Sequence, residues 1–189
     1  MDRPDQTLGR RALLRAGLGL GAATLLTSVL GPSRARAAAL EPRRLRMVST
    51  HTAEKVDLVF FDGQDLVPEA LGELDWFLRD PFTDDVHRID TAVLDLAWAV
   101  ACAAGRQAAT YEIVCGYRSP ATNARLHAAS PRGVASNSLH LTGKAIDLRL
   151  RGLPTARLRD EAQRLARGGV GFYADQDFVH LDSGRPRSW

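Results

Sequence analysis

Two cysteines in 189 residues are too few for a disulfide-stapled scaffold or a four-cysteine zinc site. The one uncharged apolar run, Ala16 to Leu30, is 15 residues long and holds three glycines, short of the roughly 20 apolar residues that a membrane-crossing helix needs. Residues 38–189 contain no internal repeat and no low-complexity segment. A hydrophobic share of 45% with 25% charged residues excludes a collagen-like or disordered chain and suits one packed core. The basic pI of about 9.2 suggests a nucleic-acid partner only until the charges are located. Residues 1–37 hold six arginines against two acids, net +4 of a total of +3, which leaves 38–189 at −1. No electrostatic footprint for nucleic acid remains on that part.

The N-terminus has the layout of an export signal. Arg10-Arg11 precede the apolar run, and Ala35-Arg36-Ala37 supplies a small-x-small cleavage site. The paired arginines and modest hydrophobicity resemble a twin-arginine signal, with cleavage expected after Ala37. An uncleaved anchor helix is the alternative. The expected organisation is a leader at 1–37 and a periplasmic domain at 38–189, with no stable membrane span after cleavage and no lipid-anchor cysteine after the run.

Periodicity predicts strands at Leu45–Ser49 and Val56–Phe61 with a turn around Glu54-Lys55, and a helix over Val67–Arg79 with Pro68 in its first turn. Ile89, Val93, Leu96, Ala97 and Val100 predict a second helix, ended by Gly105. A strand over Tyr111–Tyr117, a short helix over Pro120–Ala128 capped by Ser119, and a loop at 129–139 follow. Then come a strand at Ala145–Leu150, a helix at Thr155–Arg167, and strands at Val170–Tyr173 and Phe178–Leu181 joined by a turn at 174–177. Without regular βαβ alternation, the expected class is α+β, a small single domain with an antiparallel sheet and flanking helices.

Chemistry concentrates in the last 80 residues. His140 and Asp147 are seven apart, which is not a helical spacing, and Gly143 lies between them. One therefore belongs before a glycine turn and the other on the strand after it. Alternation places Asp147 and Arg149 on one face of Ala145–Leu150, and His180 and Asp182 on one face of the last strand. Two histidines and a carboxylate make a three-ligand set with a fourth position free, the composition of a catalytic zinc site. The residues equally allow His140 to cap a turn, Asp147 to pair with Arg149 or Lys144, and His180 to be a hydrogen-bonded strand histidine.

Three motifs in order carry a resemblance: G-Y-R-S-P at 116–120, S-x-H-x-x-G-x-A-x-D from Ser138 to Asp147, and G-V-G-F-Y with F-V-H-L-D-S-G and R-x-W over 169–189. Together they resemble the zinc murein peptidases, the D-Ala-D-Ala carboxypeptidases and L-alanyl-D-glutamate endopeptidases, and most of all their exported endopeptidase branch. The resemblance implies the small α+β fold shared with the Hedgehog signalling domain. It implies zinc held by His140, Asp147 and His180, and Arg118 facing the substrate carbonyl. Ser138 and Gly143 match positions that shape the ligand loop, Ser138 on the substrate side. Many relatives carry the general base three residues before the last ligand histidine, which is Asp177 here. Asp182 shares a face with His180 and ranks slightly ahead of it, either as base or as a partner that orients His180. The implied activity is hydrolysis of peptide cross-links in peptidoglycan, with its stem peptides as partner. A non-catalytic zinc-containing wall-binding module, a D,D-carboxypeptidase or dipeptidase, and a peptidase for non-murein peptides are the rivals.

Cys102 and Cys115 are expected as two buried thiols or a disulfide, with equal weight. Trp76 and Trp98 read as core residues of their helices, His127 as a surface or cleft residue, and Trp189 as packing back near the site.

Overall fold

The computed structural model describes residues 41–130 and 133–189. Its elements are β1 (Arg43–Ser49), β2 (Lys55–Phe61), α1 (Pro68–Phe77), α2 (Thr91–Ala103), β3 (Thr110–Cys115), α3 (Pro120–Ala129), β4 (Ala145–Leu150), α4 (Thr155–Leu165), β5 (Gly169–Tyr173), β6 (Phe178–Asp182) and β7 (Arg187–Ser188). A single 3-10 turn, Leu139–Thr142, precedes β4. The leader, its cleavage site and the anchor alternative fall outside the described residues. Among those described, no helix is long and apolar enough to cross a membrane.

One seven-stranded sheet runs in the order β2-β1-β3-β4-β6-β5-β7. The α+β class holds, but the sheet is mixed rather than antiparallel: β1 pairs parallel with β3, and β5 parallel with β7. The reason is the connection. Between β1 and β3 the chain makes a hairpin and two helices before returning, and a long crossover permits parallel pairing.

Helices α2 and α4 pack on one face of the sheet. Alternation in the central strands feeds that core with Leu45, Met47, Ile146, Leu148, Val179 and Leu181, all essentially buried. Val93, Leu96, Ala97 and Val100 of α2 meet them, as their helical spacing predicts. Asp90 caps α2, its side chain accepting from the Ala92 amide. The other face of β4 and β6 carries Asp147, His180 and Asp182.

Trp98 packs against the core. Trp76 does not: it is 54% exposed, with the Arg79 guanidinium stacked on it at 4.2 Å. Two positions beyond Leu74, it lies about 200° round the helix from the buried face of α1.

The ligand loop is pinned by glycine. Gly143 ends the 3-10 turn at φ 65°, and a Cβ there would lie 2.2 Å from the Arg88 carbonyl oxygen. Gly143→Ala is therefore expected to cost at least about 2 kcal/mol, from left-handed strain plus a backbone clash. Thermal unfolding of the variant checks this, and an unchanged Tm contradicts it.

Candidate metal centre

Three buried donors converge where β4 and β6 pair. Asp147 and His180 face each other in the antiparallel register, and the 3-10 turn brings His140 over them. His180 Nδ1 is 2.8 Å from Asp147 Oδ1, His140 Nε2 is 3.2 Å from the same oxygen, and the two ring nitrogens are 3.2 Å apart. Each histidine's other nitrogen is already used. His140 Nδ1–H donates to the Gly116 carbonyl at 2.7 Å, and His180 Nε2–H donates to Asp182 Oδ2 at 3.1 Å. Those bonds fix the tautomers and leave two nitrogen lone pairs and a carboxylate oxygen pointing at one another, an arrangement that calls for a cation.

A divalent metal fits this donor set. Two donors bound to one tetrahedral zinc stand about 3.3 Å apart, close to the observed separations. Imidazole and carboxylate are also the donors such ions prefer. The electrostatics agree. With no ion bound, a proton takes the cation's place: burial alone would raise the Asp147 pKa, but the charge of protonated His140 and hydrogen bonds from both imidazoles hold it well below the usual carboxylate range. Burial also opposes a charge on His140, yet Asp147, with Cys115 beside it, raises the His140 pKa well above the ordinary histidine value.

Asp182 is fully buried and has no free oxygen. Its Oδ1 accepts from the amides of Gly169 (3.1 Å) and Gly184 (2.8 Å) and from Arg187 Nη1 (2.9 Å). Its Oδ2 accepts from Arg187 Nη2 (2.7 Å) as well as from His180. Burial would raise its pKa, and the bonds from His180, Arg187 and Gly184 outweigh that and hold it well below the carboxylate range. Asp177 is placed elsewhere. It ends the β5–β6 turn at φ 53°, is 63% exposed on its side chain, and accepts from Thr155 Oγ1 at 2.6 Å. Strand β6 pairs with β4 and β5 without a bulge, so nothing turns Asp177 toward the cluster. The left-handed residue closes the turn instead.

Arg118 arrives on the segment after β3, which is strapped down on both sides. Tyr117 N–H donates to the Leu78 carbonyl (2.7 Å), Ser119 N–H to buried Asp80 (2.8 Å), and Arg118 N–H to the His140 carbonyl (3.1 Å). Ser119 caps α3 through the Thr122 amide, as its sequence predicts. Arg118 Nη2 lies 3.8 Å from Asp147 Oδ2, Nη1 donates to Asn123, and its buried Nε has no partner among the described residues. Ser138 Oγ accepts from the His140 amide, so it caps the ligand turn as well as lining the cleft.

An aromatic wall closes the opposite side of the cleft. Trp189 packs back as expected, its ring 5.2 Å from His180 and its Nε1–H donating to the Tyr173 hydroxyl. Tyr173 in turn stacks on Phe178 at 4.5 Å. Backbone pairing of Trp189 with Val170 and Phe172 holds the ring there. His127 lies behind the cleft wall, bonded to the Val134 carbonyl, and His87 stacks on Tyr117.

Both cysteines are free thiols, which settles the even choice against the disulfide. Cys115 is nonetheless at the centre: its sulfur and donor atoms of His140 and Asp147 all lie within 4.8 Å of one another. The strand expected over 111–117 contains it, with the thiol buried or paired. The register shift between Ile113 and Cys115 puts two β3 residues against one on β4, so Ile113 pairs with Leu148 in the core while Cys115 pairs with Asp147 on the cleft face.

The chain matches one family model over residues 37–189, that of the peptidoglycan L,D-endopeptidase MepK, in the M15 peptidases. The chain belongs to this family. It is 36% identical over 189 residues, the full length of both chains, to the "Peptidoglycan L,D-endopeptidase MepK" of Escherichia coli strain K12. It is 37% identical over 180 residues, 95% of this chain and 94% of the relative, to the "Probable peptidoglycan L,D-endopeptidase MepK" of Haemophilus influenzae. No solved structure matches it. The sequence resemblance to murein peptidases thus stands, and the chain is a peptidase of this metal-dependent MepK family.

Proposed function

We propose that the protein is an exported, zinc-dependent endopeptidase that hydrolyses peptide cross-links of peptidoglycan at a bond between an L- and a D-configured residue. The observation that carries the proposal is the triangle of His140 Nε2, Asp147 Oδ1 and His180 Nδ1, at the base of an open cleft. The L,D bond is supported by relatives aligned over nearly the whole chain, which are named as peptidoglycan L,D-endopeptidases. Residues 1–37 serve as a twin-arginine leader removed after Ala37, and 38–189 form the periplasmic catalytic domain.

His140, Asp147 and His180 hold the ion. When bound, zinc supplies Lewis-acid polarisation of the scissile carbonyl and lowers the pKa of water to about 7. Arg118, fixed through its own backbone and through Asn123, meets the negative charge that develops on the substrate. Tyr173, Phe178 and Trp189 give the stem peptide an apolar wall that excludes water. Asp182 orients His180. Among the described residues, Asp147 is the only carboxylate lining the cleft. The role of proton acceptor is therefore assigned neither to Asp182, whose oxygens are filled, nor to Asp177, which lies outside.

The test is incubation of the purified protein with murein sacculi, metal-loaded and chelated, with the released muropeptides resolved. Loss of cross-linked dimers in the metal-loaded sample alone supports the proposal, and the product termini name the bond. Bound zinc with no muropeptide change indicates a wall-binding module, and release of terminal D-alanine alone indicates a carboxypeptidase. Arg118→Ala is expected to keep its metal and lose about 100-fold in turnover, the scale of one preorganised donor to a developing oxyanion. Metal analysis beside kcat separates that result from loss of the ion.

A further inference from the structure

We propose that Cys115 is a fourth protein donor to the metal, so that the resting centre is closed by a thiolate. The inference rests on the metal site proposed above. It starts from the β3 bulge, which turns Cys115 out of the apolar alternation of Tyr111 and Ile113 and sets it opposite Asp147. The next residue, Gly116, supplies the carbonyl that orients His140, so the thiol and the first histidine are fixed by one stretch of backbone.

In the structure Sγ–H donates to the Gly116 carbonyl at 3.6 Å, and Arg118 Nη2 donates to Sγ at 3.6 Å. The sulfur thus touches Arg118 and lies within 4.8 Å of donor atoms of His140 and Asp147. Bound to the same tetrahedral ion, a sulfur and a nitrogen stand about 3.6 Å apart, so the 4.8 Å that spans Sγ, His140 and Asp147 leaves about one ångström for side-chain rotation to close toward those two donors. Cys102 lies on α2 and is not its disulfide partner, so the thiol is free to move. On binding, the S–H bond breaks, the proton leaves to solvent, and the sulfur lone pair forms the bond to the ion. Arg118 Nη2, 3.6 Å from Sγ, would hold the sulfur when it is off the ion. The donor is thus an exchangeable one that yields its position to substrate, unlike the two histidines, which are locked by their outer hydrogen bonds.

Cobalt(II) loading reads the bond without any assay of turnover. The full-length protein with one equivalent of cobalt is expected to show a thiolate-to-cobalt charge-transfer band in the near ultraviolet. Cys115→Ser should bind cobalt and lose the band, while Cys102→Ser should keep it. X-ray absorption on the zinc-loaded wild type, which needs no variant to fold, should show one sulfur neighbour at about 2.3 Å. Stoichiometric cobalt without the band, a band that survives in Cys115→Ser, or a zinc shell of nitrogen and oxygen alone overturns the thiolate and leaves the three-ligand site standing. Failure of the wild type to bind cobalt or zinc overturns both.

Discussion

Replacing His140 with alanine is expected to abolish stoichiometric metal binding and to lower turnover on murein by on the order of 10⁴-fold or more, the scale lost when one member of a catalytic unit is removed. Three donors within 3.2 Å of each other act as a unit because none binds a divalent ion tightly alone. His140 is the member that other parts of the fold present most directly. The 3-10 turn, the Ser138 cap and the Gly116 carbonyl all hold it in place. Its loss leaves Asp147 buried with one fewer positive partner, so the carboxyl pKa moves back up as burial dictates. The variant should still fold, because His140 is not part of the apolar core. Metal content by elemental analysis and kcat on cross-linked muropeptides check the prediction together. Full metal and wild-type turnover in His140→Ala would remove the basis of the site.

Legibility in the sequence followed the range of the interactions. Alternation in β4 and β6 could be read directly, since a strand with one face in a core must send every second residue the other way. That rule put Asp147, His180 and Asp182 on the cleft side, where they are. The helical spacing of α2 was legible for the same reason. What failed depends on partners distant in sequence or on a local break in the pattern. The parallel pairing of β1 with β3 joins strands across a crossover whose path no local pattern encodes. Strand β7 is two residues long, too short to show a period. Cys115, expected only as a buried thiol or a disulfide partner in the strand over 111–117, reaches the cleft face because a bulge inverts the face of every residue beyond it, and no local pattern signals that bulge. The R-x-W ending is legible, but nothing in it signals that Arg187 neutralises Asp182. That pairing turns Asp182 from a free acid into a support for His180.

Asp182→Asn tests that support, and two effects are expected. The amide keeps the shape but removes the charge from a group enclosed by His180, Arg187 and two backbone amides. One of its atoms becomes an NH2 facing donors only, and Arg187 loses its counter-charge. Arg187 is one-third exposed, so water recovers part of the loss, and the cost should be about 2–4 kcal/mol. The second effect is on the metal. A ligand histidine that loses its outer carboxylate typically costs 10–100-fold in affinity, and His180 depends on Asp182 for both tautomer and ring orientation. The pH dependence supplies an independent check on the metal-free protein. The Asp182 pKa is depressed on folding, so its stabilisation is present above the ordinary value near 3.8 and is lost as pH falls through the lower folded value. Wild-type stability should therefore drop in that acid range, and Asp182→Asn should lack the Asp182 part of the drop. A general base would behave differently: Asp182→Asn would then keep wild-type metal affinity and lose turnover alone. Parallel measurement of metal affinity, acid unfolding and kcat separates a residue that holds His180 from one that moves the proton.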